Sequence, residues 1–214
     1  MNTGERGKEP AADTLVGSRQ LRRLERMMDV VFALAIWRLV TILPRVDSED
    51  PERDTVWEML TGNWADFAAP LIAIVILVVY WLQNNAHFSR LRTTDTVHTA
   101  LAVSQLFLVM VLIYGVALGV GGSSAYDTRV FESAVGLLLG VLAYASWRYA
   151  AAGRRLVLGK LSDEEIGAMS KRNLAEPLTA LATIPFAVVG PIAWELSWFL
   201  YPLWLRLLRK RVRW

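Results

Sequence analysis

The chain of 214 residues contains no cysteine and only two histidines, His87 and His98. Without cysteine there is no disulfide framework, no thiolate metal site and no Cys nucleophile. Two histidines leave little room for a His-based metal cluster or a His general base. The short catalytic signatures are missing too. There is no Gly-rich loop ending in Lys-Ser/Thr, no His-Glu-x-x-His, and no Ser set as a nucleophile elbow. Enzyme chemistry therefore has no visible machinery, and no cofactor is called for. Charge is scarce in a particular way. Charged residues make up 20% of the chain but are absent from several long runs, and those runs lift the mean hydropathy to +0.34. The chain reads as an all-α integral membrane protein.

A helix needs about 20 mainly apolar residues to cross the hydrocarbon core. The clearest spans are Phe67–Gln83, Val97–Leu118 and Val130–Ala150 (67–83, 97–118, 130–150), none with a charge in its middle. An earlier span, 27–43, is apolar apart from Asp29 and Arg38 and is closed by Pro44. The stretch Leu174–Leu208 is too long for one crossing and breaks at Gly190-Pro191, which predicts a hairpin of two helices, 174–190 and 191–208. The alternative is one span plus an interfacial helix, five in all. Charge placement favours six. Of 23 Lys and Arg, 19 lie before Met27, in the 84–96 and 148–172 connections, or after Leu205. Six spans put all of these on one side, and the positive-inside rule then makes both termini cytoplasmic.

The domain organisation follows: a cytoplasmic segment over 1–26, a six-helix membrane domain over 27–208, and a basic tail over 209–214. The first segment has no signal-peptide-like apolar core, so the first span is expected to be retained. The outer 44–66 connection is acidic, with Asp47, Glu49, Asp50, Glu52, Asp54, Glu58 and Asp66 against two arginines. Ser162 and Glu165 fit a capping box opening a short helix, whose acidic first turn Asp163-Glu164-Glu165 suits the helix dipole better than it suits a cation site. Gly115-xxx-Gly119 and Gly136-xxx-Gly140 have the spacing that lets helix backbones approach. Trp64, Trp81, Trp147, Trp194, Trp204 and Tyr201 fall near span ends, where interfacial anchoring explains them. The tail Arg206-Leu-Leu-Arg209-Lys210-Arg211-Val212-Arg213 directly follows a span. It reads as a topology anchor on anionic headgroups and not as a nucleic-acid site.

Ionisable residues inside spans are functional candidates. Here they are Asp29 and Arg38, with Glu195 near the start of the last span. On a helical wheel, Met27, Val30, Leu34, Trp37, Arg38 and Thr41 share one face, while Asp29, Phe32, Ile36 and Val40 fall opposite. Asp29 and Arg38 therefore cannot pair along this helix. Arg26, Asn84 or Asn85 lies within the reach of Asp29.

The stretch Arg23-Leu-Glu-Arg-Met27-Met28-Asp29-Val-Val-Phe32-Ala-Leu34-Ala-Ile resembles the first-span signature of the transmembrane protein 175 family, whose hallmark is Arg-x-x-x-Phe-Ser-Asp followed by an apolar run. Tyr80-Trp81-x-x-Asn84-Asn85 is similar to the family's Tyr-Trp-x-x-His-His at the end of the second span. The resemblance implies a multi-pass, passive potassium channel of the bacterial plasma membrane. It further implies a homo-tetramer with a central pore lined by the first helix. Leu34 would form the main constriction, with Trp37/Arg38 and Thr41 above it, K⁺ as the permeant ion, and Arg23 and Asp29 as a structural lock. The chain departs from the pattern at Met27, Met28, Asn84 and Asn85. It departs again at Trp37-Arg38, where the family carries Thr or Leu. Four pore-facing arginines would repel cations. Alternatively, Arg38 reaches outward to the interface or the acidic loop. Two other readings stand beside the potassium channel: an anion-permeable or occluded pore of the same fold, and a non-conducting membrane scaffold. Substrate-coupled transport would want an inverted repeat or broken helices, and neither is visible.

Overall fold

The computed structural model describes residues 12–43, 55–62, 64–121 and 126–209. The expectations for residues 1–11, for the acidic positions 44–54 and for the tail from 210 lie outside these. The described elements are α1 (Ala12–Thr41), α2 (Val56–Gly62), α3 (Trp64–Phe88), α4 (Thr96–Gly121), α5 (Tyr126–Ala151), a 3₁₀ turn (Ala152–Arg154), α6 (Asp163–Val189), α7 (Pro191–Ser197) and α8 (Leu200–Arg209). Among the described residues, three helical stretches are long and apolar enough to cross a membrane: Pro70–Phe88, Thr96–Gly119 and Tyr126–Arg154.

The first helix starts well before the apolar run. Its 30 residues extend about 45 Å at 1.5 Å per residue, and its first half is polar. One stripe holds it to the bundle: Leu21, Leu24, Met28, Phe32, Ala35 and Leu39 recur every three or four residues and are all buried. They pack against α3 and α4.

Both Gly-xxx-Gly pairs sit at helix contacts. Gly115 and Gly119 face Phe131, Glu132 and Thr128 of α5. Gly136 meets the Trp198 ring, and a Cβ at Gly140 would lie 2.7 Å from the Pro177 backbone nitrogen. The α5–α6 contact is therefore a backbone-level approach.

At one end of the bundle, the α3–α4 and α5–α6 connections pair as extended chain. Arg92 N–H donates to Leu156 O (2.9 Å) and Leu158 N–H to Arg90 O (2.9 Å). Gly17 of α1 packs on Thr93 and Thr94 of the same connection. His98 accepts or donates through Nδ1 to the Thr94 hydroxyl (2.8 Å), and Tyr149 donates to Asp95 (2.8 Å). Three of the segments rich in Lys and Arg thus meet at one end.

Two sequence expectations change here. Ser162 does cap a helix by the reciprocal box, its Oγ accepting from Glu165 N–H while Glu165 accepts from Ser162 N–H (2.8 Å). That helix is not short. It runs unbroken to Val189 through Pro177 and Pro185, and its close packing on α5 lets the helix keep both prolines. The chain then reverses at Gly190, whose φ of 146° only glycine adopts readily, and Pro191 opens α7. After this reversal, α7 and α8 both pack back on α6. The last segment, expected as one helix over 191–208, is two. They are joined at Trp198–Phe199 by i→i+3 bonds from Trp198 N–H to Glu195 O and from Phe199 N–H to Leu196 O. A broken helix is therefore present after all.

Several tryptophans are structural donors and not simple interfacial anchors. Trp147 is fully buried and donates to Ser170 Oγ (3.0 Å). Trp194 donates to Ser133 Oγ (2.9 Å), which in turn bonds Thr183 (2.7 Å), stitching α5, α6 and α7 together.

Candidate pore-lining face

With one stripe of α1 buried, the opposite stripe is left bare. Val30, Leu34 and Trp37 are 58%, 58% and 66% exposed, and Met27 and Arg38 are exposed beside them. Thr41 is half-buried. Exposed apolar side chains also occur on α3, α4 and α5, as expected of surfaces that meet lipid. The α1 stripe also carries Arg38 beside Leu34 and Trp37, and a lipid-facing Arg at membrane depth is costly. This face is suited to water or to another protein surface.

The Arg38 side chain is turned toward the C-terminal end of α1. Its Nη1 donates to Thr41 Oγ1 (3.1 Å), and Thr41 Oγ1 donates to the Arg38 carbonyl (2.6 Å). Helical side chains ordinarily lean toward the N-terminus, so this bond draws the charge one turn outward, away from Leu34.

Asp29 lies off the stripe. It takes a hydrogen bond from Trp81 Nε1 (2.9 Å), a partner other than Arg26, Asn84 or Asn85. The two sequence motifs are thus joined directly, α1 to α3. Arg23 is exposed at the polar end of α1. The two methionines of the signature separate: Met28 is core and Met27 belongs to the bare stripe. Asn84 is buried and donates to Tyr80 O (3.1 Å), one turn back on its own helix, and Asn85 is half-buried. The structure therefore brings Leu34, Trp37, Arg38 and Thr41 onto one face and places Asp29, Trp81, Met28 and Asn84 at the α1–α3 contact or in the core.

Two buried carboxylates escaped the sequence reading. Glu132 of α5 and Glu176 of α6 are both buried, one near each predicted span end, where a charge reads as interfacial. Close-packing neighbours were the available signal. Glu132 is four residues before Gly136, and Glu176 precedes a proline inside an apolar run.

Long apolar helices around a helix with one buried and one bare polar-apolar face define a multi-pass, all-helical membrane protein. Residues 23–112 match the family model described as endosomal/lysosomal potassium channel TMEM175. Both motifs read from the sequence fall inside that stretch, and the resemblance drawn from them is borne out. No curated protein matches the chain. Among solved structures, a lysosomal potassium-selective channel TMEM175 homolog from Chamaesiphon minutus aligns with a TM-score of 0.71 at 21% identity, over 91% of this chain and 99% of that one. A variant of the potassium channel MtTMEM175, bound to a nanobody–MBP fusion, aligns at 0.58 and 20% identity, over 98% and 95%. The fold is shared along nearly the whole length.

Proposed function

We propose that the chain is one subunit of a passive potassium channel of the bacterial plasma membrane, a homo-tetramer whose central pore is lined by the bare face of α1. The observation that carries this reading is the stripe Met27–Val30–Leu34–Trp37, which is apolar, continuous and unpartnered within the subunit. The stripe lies inside the stretch that the family model matches. Leu34 forms the constriction. An apolar ring opposes permeation by partial dehydration and favours K⁺, which sheds water more readily than Na⁺. Arg23 and Asp29 stay outside the ion path. Six crossings with both termini inside agree with the three basic segments gathered at one end, and the basic cytoplasmic segments then meet anionic headgroups. A pore of this kind is not an enzyme and needs only its permeant ion.

Proteoliposome flux with K⁺, Na⁺ and Cl⁻ tests the proposal. Wild type should pass K⁺ over Na⁺, and Leu34→Ala should raise total cation flux and narrow that preference. Silence of both proteins would sink it. Trp37 and Arg38, exposed on the same face, support a second reading in which the pore is occluded or anion-permeable. There, Arg38→Leu turns cation flux on or reverses the Cl⁻ preference.

A further inference from the structure

A second feature is independent of the α1 face. Between α3, α6 and the broken α7–α8 segment lies a half-open cavity of about 650 Å³, within the range of small-molecule clefts. It follows α3 from Leu71 to Gln83, about 18 Å at helical rise. One half is apolar, lined by Val79 of α3 and Trp198, with Val75 and Phe199 exposed at its rim. The other half gathers Tyr80, Gln83, Arg172, Glu176 and Tyr201.

Glu176 is the informative residue. It is 4% exposed, and its Oε1 has no hydrogen-bond partner among the described residues, while the nearby Tyr201 hydroxyl lies against the Gln83 side chain. The Tyr80 hydroxyl lies against the same carboxyl group. A buried acceptor left unmatched costs free energy that a native fold rarely carries without reason. The terminal torsion of a Glu is soft, so the free oxygen can turn to the lumen. What fits is a compact donor cation on an apolar body: the head meets Glu176 and Tyr201, and the body runs toward Leu71. Arg172, one turn before Glu176, is exposed and remains solvated at the mouth.

We infer that this cavity is a binding site for a hydrophobic amine, an ammonium group seated on Glu176 with its apolar portion along α3. Because the site lies away from the α1 stripe, it holds whether or not the pore conducts.

The experiment compares three probes with one carbon cage, 1-aminoadamantane, 1-adamantanol and adamantane-1-carboxylate, titrated calorimetrically into the purified full chain. Wild type should bind the amine about tenfold or more tighter than the alcohol, since a hydrogen bond to a charged group is the stronger kind. Glu176→Gln should erase that difference while the alcohol still binds. Val75→Trp alters an exposed rim position and should fill the cavity, abolishing binding of all three without changing the unfolding midpoint. Equal amine and alcohol affinity in wild type, tighter carboxylate binding, or an amine preference that survives Glu176→Gln each overturns the inference. If Glu176→Gln does not fold, amine binding that persists in Val75→Trp overturns it. No binding of any probe to wild type also overturns it and points to a neighbouring subunit filling the cavity.

Discussion

A guanidinium on an exposed helix face has two escapes from hydrocarbon: it lines water, or it reaches for the interface. The Arg38–Thr41 bond combines them by keeping the charge on the stripe while drawing it one turn toward the helix end. Arg38→Leu should therefore leave cation preference intact and raise K⁺ flux severalfold, read as reversal potential and rate in liposomes. A reversal potential that moves from the Cl⁻ to the K⁺ value would instead favour the anion reading. At the α1–α3 contact, Trp81→Phe should cost about 1 kcal/mol, the usual net worth of one hydrogen bond. Asp29→Asn should cost less, because an amide oxygen still accepts. The double variant should fall short of the sum, a non-additivity readable by thermal unfolding. Much of this was legible from the sequence, because the 3.6-residue period set Leu34, Trp37, Arg38 and Thr41 on one line. The Asp29–Trp81 partnership was not. The two residues are 52 positions apart, and local spacing says nothing about which indole a carboxylate meets.

Helices contribute through their ends and their closest contacts. A Cβ at Gly140 would meet Pro177 backbone at 2.7 Å, an overlap no side-chain rotation relieves. Gly140→Ala should thus destabilise by at least 1–3 kcal/mol, as overpacking does, whereas Gly167→Ala, with nothing near its Cβ, should be neutral or mildly stabilising in denaturation. The capping box makes a pH prediction. Hydrogen bonds donated by the Ser162 backbone and hydroxyl hold the Glu165 carboxyl below its ordinary range. A depressed carboxylate stabilises above its unfolded pKa, about 4.3, and that contribution fades as pH falls through the lower folded value. The gap in unfolding midpoint between wild type and Glu165→Ala should be full near neutrality and close in acid. The sequence carried the cap, the glycine pairs and the Gly190-Pro191 reversal because each has a local signature. It concealed the continuity of α6, since Asn173, Glu176 and Pro177 together look like a boundary. Only packing against α5, invisible in one sequence, overrides that look.

For the whole molecule, the lack of cysteine becomes a tool. Single cysteines placed on exposed sites should report sidedness without background. Lys160→Cys, in the α5–α6 connection, should label from the cytoplasmic face of oriented vesicles, and Tyr126→Cys, at the start of α5, only from the opposite face. Labelling of both from one side would contradict six crossings. Leu34→Cys should cross-link subunit to subunit if α1 faces a shared axis, and fail to do so in a monomeric scaffold. The break between α7 and α8 has a consequence for the membrane itself. Its turn satisfies the Trp198 and Phe199 N–H groups by short-range bonds, so the helix can break there without leaving those donors unpaired. A rigid span meets a thinner or thicker bilayer by tilting or by deforming it. Here the final segment is two pieces, α7 and an amphipathic α8 that bears Arg206, both packed on α6. The ten residues of α8 rise about 15 Å, half the hydrocarbon thickness, so a bilayer that thins or thickens meets two short pieces there and not one rigid rod.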